Sequence, residues 1–300
     1  MKSILTKKAL SLALAALAML TAGCIKEDLD ECYKLTLKVV NHKGDDITAL
    51  NVVSEAKLFI YDANSKLLDT RELNEDFIRG KETIELNYPE STKLHLIAWG
   101  NLKGKQTLSE STKAEDLAVS LKSDANDIAQ SPDSLFFGDI DVTVRGNGVA
   151  GSNQEIVLEP KTGTVEMRTV NLQYAYKGGL RATEECNFYM DRTLNTMDYK
   201  GALTGDSVSY NPEADWKASE WETTGPQALY LGQNMTGSIQ VGDDVYPVTE
   251  GTFDDGTTGP IEIHPFQRTL VVFLWGEDGA FLGAKIKVTP WGVVDDDIDW

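Results

Sequence analysis

Three cysteines stand at positions 24, 32 and 186 of a 300-residue chain, and each could do a different piece of chemistry. Cys24 follows a segment built to be removed. Lys2, Lys7 and Lys8 form a basic head, Ala9 to Leu20 an apolar run broken only by Ser11, and Thr21-Ala22-Gly23 a stretch of small residues. That order is a secretory signal, and its dozen or so apolar residues fall short of the roughly 20 that a membrane span needs. Cleavage before Cys24 would leave its thiol on a new N-terminal residue, where sulfur can be acylated. A plain signal peptide with an incidental cysteine is the other reading. Cys32 and Cys186 remain for a cross-link. The chain crosses an oxidising compartment, where paired thiols persist. A disulfide and two separate buried thiols both stay open, because a sequence does not show whether the two Cα atoms approach.

The remaining reactive side chains do not assemble into a recognisable centre. His42, His95 and His264 are scattered through different segments, and no H-E-x-x-H, G-x-S-x-G, P-loop or G-x-G-x-x-G pattern occurs. The 47 acidic residues guarantee close acid pairs by chance. A glycosidase dyad needs two carboxylates held at a set separation in a cleft, and nothing singles out two here. "TFDDGTTG" and "VVDDDIDW" offer oxygen ligands but lack the calcium-loop spacing with its Gly and terminal Glu, so they read as solvated acidic turns. The expectation is a protein that is not an enzyme and that carries no cofactor and no metal centre. The formal charge is −19. Removing residues 1–23 takes away three lysines and no acid, so 28 cations become 25 against 47 acids, a charge of −22. Such a field repels phosphate backbones, which excludes nucleic acid as a partner. It also repels an anionic membrane surface, so any attachment there must come from lipid on Cys24.

The elements that would position these groups read as strands. Tyr33, Leu35, Leu37 and Val39 alternate with Lys34, Thr36 and Lys38, the period of a half-buried strand. Similar runs recur at Ala56–Tyr61, Thr83–Asn87 and Lys93–Trp99, with turn residues Asp62 to Ser65 closing a hairpin. One short amphipathic helix is predicted near Thr112–Leu121. The second half repeats the texture at Cys186–Met190, Ala228–Leu231, Ser238–Val241, Val245–Val248, Leu270–Trp275 and Phe281–Val288. Turn signals at this spacing point to β-sandwiches rather than to a sheet alternating with helices. Pro160–Gly163 reads as the linker, giving a signal segment 1–23, an acidic linker 24–32, and all-β domains at 33–159 and 160–300. Trp99 and Trp275 fall in strand patterns and belong to cores. Trp216 and Trp221 fall in a polar stretch and are the one plausible exposed aromatic pair.

Several stretches carry a resemblance. Thr21-Ala22-Gly23-Cys24 resembles a relaxed bacterial lipobox, with Thr21 where a branched apolar residue is usual and Leu20 one place further back. Lys26-Glu27-Asp28 reads either as a solvated spacer or as a signal for export to the cell surface, similar to that of Bacteroidia lipoproteins. "DSLFFGD" (133–139), "IVLEPKTGTVEM" (156–167) and "VTPW" (288–291) follow in an order similar to that of the FimB-type minor fimbrial subunits, the fimbrial anchor lipoproteins of Bacteroidia. The resemblance implies two tandem transthyretin-like antiparallel β-sandwiches and no catalysis. It implies a lipid-anchored protein, facing outward from the outer membrane at the base of a fimbrium, with a fimbrillin shaft subunit as partner. Related shaft subunits lose their lipidated end at an arginine, and here no Arg occurs from Cys24 until Arg71. In the same class a C-terminal extension of one subunit completes the sheet of the next. An extended tail here would send Val294, Ile298 and Trp300 to one face. A glycan-binding surface lipoprotein is the competing expectation, since it shares the anchor and the sandwiches but needs exposed aromatics.

If Cys24 is the acylated residue, Cys24→Ala leaves the chain without lipid and releases it from the membrane fraction. Mass spectrometry of the mature N-terminus checks this; an unmodified Cys24 in the wild-type protein would refute it.

Overall fold

The structure, a computed structural model, describes residues 33–86, 92–144, 154–175 and 186–292. The first half carries β1 (Tyr33–Val39), β2 (Glu55–Asp62), β3 (Leu67–Asn74), the short helix α1 (Glu75–Arg79), β4 (Ile84–Leu86), β5 (Thr92–Gly100), β6 (Gln106–Ser109), β7 (Ala118–Leu121), β8 (Ile128–Ala129), β9 (Phe136–Val144) and β10 (Gln154–Pro160). The second half carries β11 (Thr162–Val170), β12 (Cys186–Met197), β13 (Leu203–Tyr210), β14 (Ala214–Lys217), β15 (Glu220–Thr223), β16 (Gln227–Tyr230), β17 (Gly232–Val241), β18 (Asp244–Val248), β19 (Glu250–Phe253), β20 (Thr258–Ile263), β21 (Gln267–Trp275) and β22 (Phe281–Pro290). The fold is all-β, as the period-two runs require.

Seven strands of the first half form one sheet in the order β3-β2-β5-β9-β10-β1-β4. Only Phe136 and Phe137 of β9 pair with β10, so the sheet folds over on itself at that corner. Leu35, Leu37 and Val39 of β1 and Ile156 and Leu158 of β10 then pack with Leu58, Ile60, Leu94, Leu96 and Ala98. The alternation read at Tyr33–Val39 is this packing seen from one strand. β1 and β10 lie parallel, with Leu35 opposite Gln154 and Val39 opposite Leu158. The β2–β3 hairpin turns where Asp62 to Ser65 predict it: the Asp62 carboxylate accepts from the backbone N–H groups of Asn64 and Lys66 at 2.8 and 2.9 Å. Asn74 caps α1 by accepting from Phe77 N at 2.9 Å.

Strands of the second half continue into a larger curled sheet, ordered β14-β15-β11-β21-β22-β19-β20-β17-β12-β13-β8. Most ladders are antiparallel, but β11 and β21 run parallel from Thr164–Arg268 to Val170–Leu274. Residues 106–129 cross over from the first half: β7 pairs with β12 through Ser120–Thr196 and Val119–Met197, and β8 pairs with β13. The helix predicted near Thr112–Leu121 is not formed. A single 3-10 turn spans Ala114–Asp116 and β7 follows, because Leu67 N and Ala114 N are already committed to Thr112 O and Ser65 O at 2.8 and 3.0 Å. Leu117, Val119 and Leu121 thus alternate into a core, a period of two in a window too short to tell from a helix.

β2 over residues 58–61, β5 over 96–100 and β9 over 136–138 are buried on both faces. Phe59, Tyr61, Ile97, Trp99 and Phe137 point away from the first core and join Val165, Met167, Phe188, Phe273 and Trp275 in a second core. That is why "LFIY" and "LIAW" are continuous apolar runs rather than strict alternations. Trp99 and Trp275 are core residues, as expected, at 0% and 1% exposure.

Two glycines mark where backbones cross. A Cβ on Gly138 of β9 would overlap the carbonyl oxygen of Val157, and one on Gly163 of β11 would overlap that of His264. Gly138→Ala and Gly163→Ala should each lower the unfolding free energy by about 3 kcal/mol, as overpacking against backbone does. Gly225, with open space around its Cβ position, should tolerate Ala within about 0.5 kcal/mol. Urea titration of the three variants checks the contrast; equal stability of all three would contradict the crossings.

Candidate functional site

The histidines of the described residues sit apart on different elements. His95 of β5 donates through Nδ1 to Asp141 Oδ1 at 2.7 Å, with Asp139 Oδ2 3.9 Å from its Nε2 and the Tyr199 ring edge-on. His264, just past the end of β20, lies 3.6 Å from Glu262 of that same strand. Burial pushes the Tyr61 phenol up to about 12 and those of Tyr210 and Tyr230 further still. These phenols stay neutral at ordinary pH, and two of them hydrogen-bond: Tyr210 Oη accepts from Tyr230 N at 3.2 Å and Tyr230 Oη donates to Val119 O at 3.4 Å. In "TFDDGTTG", Asp255 accepts from Thr257 N and Thr257 Oγ1 at 2.9 and 2.6 Å, and these bonds hold its carboxyl below the usual range. It is a self-contained turn between β19 and β20. Among the described residues no three His, Cys, Asp or Glu side chains converge as metal ligands.

The predicted aromatic platform is not exposed. Trp216 and Trp221 face one another across the β14–β15 hairpin, edge to face at 5.4 Å, and both pack half-buried against the second core. Their polar neighbours point outward with the other strand parity, which the sequence stretch alone did not separate. Cys186 opens β12 and is 3% exposed within that same core. Cys24, Lys26, Glu27, Asp28 and Cys32, and Val294, Ile298 and Trp300, lie outside the described residues.

What the structure does bring together is the set of sequence motifs. "DSLFFGD", "KTGTV" and "VTPW" are separated by up to 150 positions and meet at the junction between the two halves. Phe266 is the hub. It sits in the turn between β20 and β21 with φ of 54°, a left-handed conformation uncommon for a bulky residue. Its N donates to Thr162 O at 2.9 Å and its O accepts from Trp291 N at 3.3 Å. Its ring stacks on Trp291 at 5.3 Å and 7°, and meets Phe136 edge-on at 5.9 Å. Phe136 belongs to the first core, so the turn of the second half reaches into the first. Lys161 N donates to Leu135 O at 2.8 Å, and Ser131 Oγ to Ala228 O at 2.9 Å. Buried Asn101 ties the same region: its Nδ2 donates to Val52 O and Ser134 O at 2.8 and 2.9 Å, and its Oδ1 accepts from Ser54 N at 2.9 Å.

Beside this junction is an open polar cleft of about 760 Å³, lined by Asn101, Lys103, Lys105 and Asp133 from one half and Thr164, Glu213, Gln227 and Trp291 from the other. The chain passes its rim after β22, at Trp291 and Gly292. The sequence marked "VTPW" as an element without showing its contact. Phe266 carried no signal of its own, since "HPFQ" reads as an ordinary turn.

The family profile described as Fimbrillin-A associated anchor proteins Mfa1 and Mfa2 matches residues 29–297. The chain is similar to the major fimbrium anchoring subunit FimB of Porphyromonas gingivalis, at 23% identity over 96% of each chain. Among solved structures it is similar to the fimbrial anchor protein Mfa2 of Porphyromonas gingivalis, with a TM-score of 0.63 and 12% identity, covering 87% of this chain and 97% of that one. It is also similar to a Bacteroides thetaiotaomicron protein of the DUF1812 group described as a candidate polysaccharide-binding protein, with a TM-score of 0.66 and 15% identity, covering 89% and 99%. At these identities the two structures show a shared fold.

Phe266→Ala should cost about 2–3 kcal/mol, at the low end for a Phe truncation because the ring is only partly buried. The loss should be shared with Trp291→Ala, so that the double variant is less destabilised than the sum. A double-mutant cycle by chemical denaturation checks it, and strict additivity would mean the two rings do not act as one contact.

Proposed function

This chain belongs to the family of fimbrillin-A associated anchor proteins, and from that membership we propose that it holds and helps assemble a fimbrial shaft at the cell surface without catalysis. The observation that carries the proposal is that the family's profile spans nearly the whole mature chain, and that the motifs 133–139, 156–167 and 288–291 form one structural junction. In this reading Cys24 is acylated and retains the protein in the outer membrane. Lys26-Glu27-Asp28 directs it outward. The absence of arginine between Cys24 and Arg71 keeps the anchor attached. A fimbrillin shaft subunit is the partner, taken through the C-terminal residues Val294, Ile298 and Trp300. Cys32 and Cys186 form a disulfide that ties the linker to the second half. Neither nucleic acid nor a cofactor takes part.

The topology supports a role under tension. β1 follows the lipidated linker directly, and its parallel partner β10 leads into β11 and the second half. A pull on Tyr33 against a pull from beyond Pro160 loads opposite ends of that ladder. The paired residues from Leu35–Gln154 to Val39–Leu158 are then strained together in shear rather than one at a time. The glycan-binding reading has less support, since the aromatic pair it needs is packed edge to face and half-buried.

Cells lacking this chain should assemble fimbriae and shed them into the medium, and the wild-type chain supplied on a plasmid should restore retention. Purified mature chain should capture its fimbrillin and pass through a panel of glycan gels. Cell-bound fimbriae in the deletion strain, together with retardation on a glycan gel, would favour the competing reading.

A further inference from the structure

The last strand ends in a lightly held aromatic residue seated on a strained one. The β21–β22 ladder closes at Gln267–Pro290, and a proline has no N–H to carry it further. Among the described residues, Trp291 is then held by one hydrogen bond and one ring contact, both to Phe266. The bond from Trp291 N to Phe266 O, at 3.3 Å, is longer than the usual range of about 2.7–3.2 Å. The ring contact is the parallel stack at 5.3 Å. A stack and a neutral hydrogen bond of this kind together favour the seated state by only about ten- to hundredfold. Gly292 follows with φ of 79°, exposed and with nothing within 4 Å of its Cβ position, so the chain can pivot there. The indole also borders the polar cleft of about 760 Å³, which gives the ring somewhere to go.

On its other side Phe266 is tied to the junction. Its N donates to Thr162 O at 2.9 Å, and its ring meets Phe136 of the first core edge-on at 5.9 Å. Thr162 follows Lys161, whose N donates across the junction to Leu135 O at 2.8 Å. Phe266 itself has φ of 54°, a conformation that a bulky residue keeps only while its surroundings impose it. Trp291 supplies two of those surroundings, the stack and the bond to the Phe266 carbonyl. Without them the turn can relax toward negative φ, and that relaxation moves the Phe266 N–H relative to Thr162 O.

We propose that Trp291 is a catch that couples the end of the chain to the junction between the halves. Seated on Phe266, it keeps the turn in its strained form and the junction closed. Drawn off by whatever engages the chain beyond Gly292, it swings toward the cleft. The loosening then passes through Phe266 to Thr162, Lys161 and Leu135. The proposal rests on the shaft-docking reading only for the agent that draws the catch; the coupling itself belongs to Phe266 and Trp291. Its consequence is that an event at the end of the second half is felt in the first.

Amide hydrogen exchange of the intact mature chain, resolved by residue and followed at low urea where local openings dominate, tests the coupling. In Trp291→Ala the N–H groups of Phe266 and Lys161 should exchange about tenfold faster than in the wild type. Trp291→Phe keeps a ring on Phe266 and should retain most of the protection. Ile239→Ala, in the core position of β17, should lower global stability without moving those two local openings. Unchanged exchange at Phe266 and Lys161 in Trp291→Ala, or an equal rise in Ile239→Ala, would overturn the proposal. Excess fimbrillin added to the wild-type chain should raise the same two rates. Fimbrillin that is captured and leaves both rates unchanged would also overturn it. Fimbrillin that is not captured would sink the docking reading instead, and the Trp291→Ala rates would still decide the coupling.

Discussion

The constraint on which the rest of the structure depends is the double burial of β2, β5 and the first residues of β9. A strand pair with one wet face can leave its neighbours without great cost. Here Leu58, Ile60 and Leu96 are used by the first core, while Phe59, Tyr61, Ile97 and Trp99 are used by the second. Separating the two halves would expose the largest side chains of the first half at once, at roughly 25 cal/mol for each Å² uncovered. The crossing segment 106–129 adds to this, since β7 and β8 complete a sheet whose other strands come from the second half. The chain is thus two β-sandwiches by sheet and one body by packing.

Phe266 and its contacts show how that body is locked. An aromatic residue in a left-handed turn is strained, and the strain persists only where surroundings overdetermine it. Two backbone hydrogen bonds, to Thr162 and from Trp291, hold the turn from both sides. The ring then lies between Trp291 and Phe136, so the last strand of the second half and the ninth strand of the first meet through one side chain. Gly138 and Gly163 permit the close backbone approaches on either side of this contact. The stretches 133–139, 156–167 and 288–291 are therefore parts of a single three-dimensional fastening.

For a protein that holds a fibre, such a fastening has a physical purpose. Force entering at the start of β1 and leaving through the second half must pass between the halves. A hinge would let the halves align with the pull and peel apart. A shared core, a parallel ladder loaded in shear and a ring wedged across the junction each require many contacts to fail together. The strong negative charge serves a different end, keeping the surface solvated and free of nonspecific partners.

Period-two patterning determined the all-β class, because alternation reports burial on one face directly, and it located β1, β2, β5, β21 and β22. Turn chemistry determined the Asp62–Ser65 hairpin, where a carboxylate caps its own loop. Only the tertiary structure decided the partition of residues 106–129, since a four-residue strand has too short a window for periodicity and takes its identity from what it pairs with. It decided that Trp216 and Trp221 are packed rather than presented, because a hairpin in a polar stretch still has two faces. And it decided the roles of Phe266, Trp291, Gly138 and Gly163, which depend on contacts between residues more than a hundred positions apart or on a carbonyl from another strand. Local sequence carries no trace of such distances; the close approach of two backbones exists only once the chain has folded.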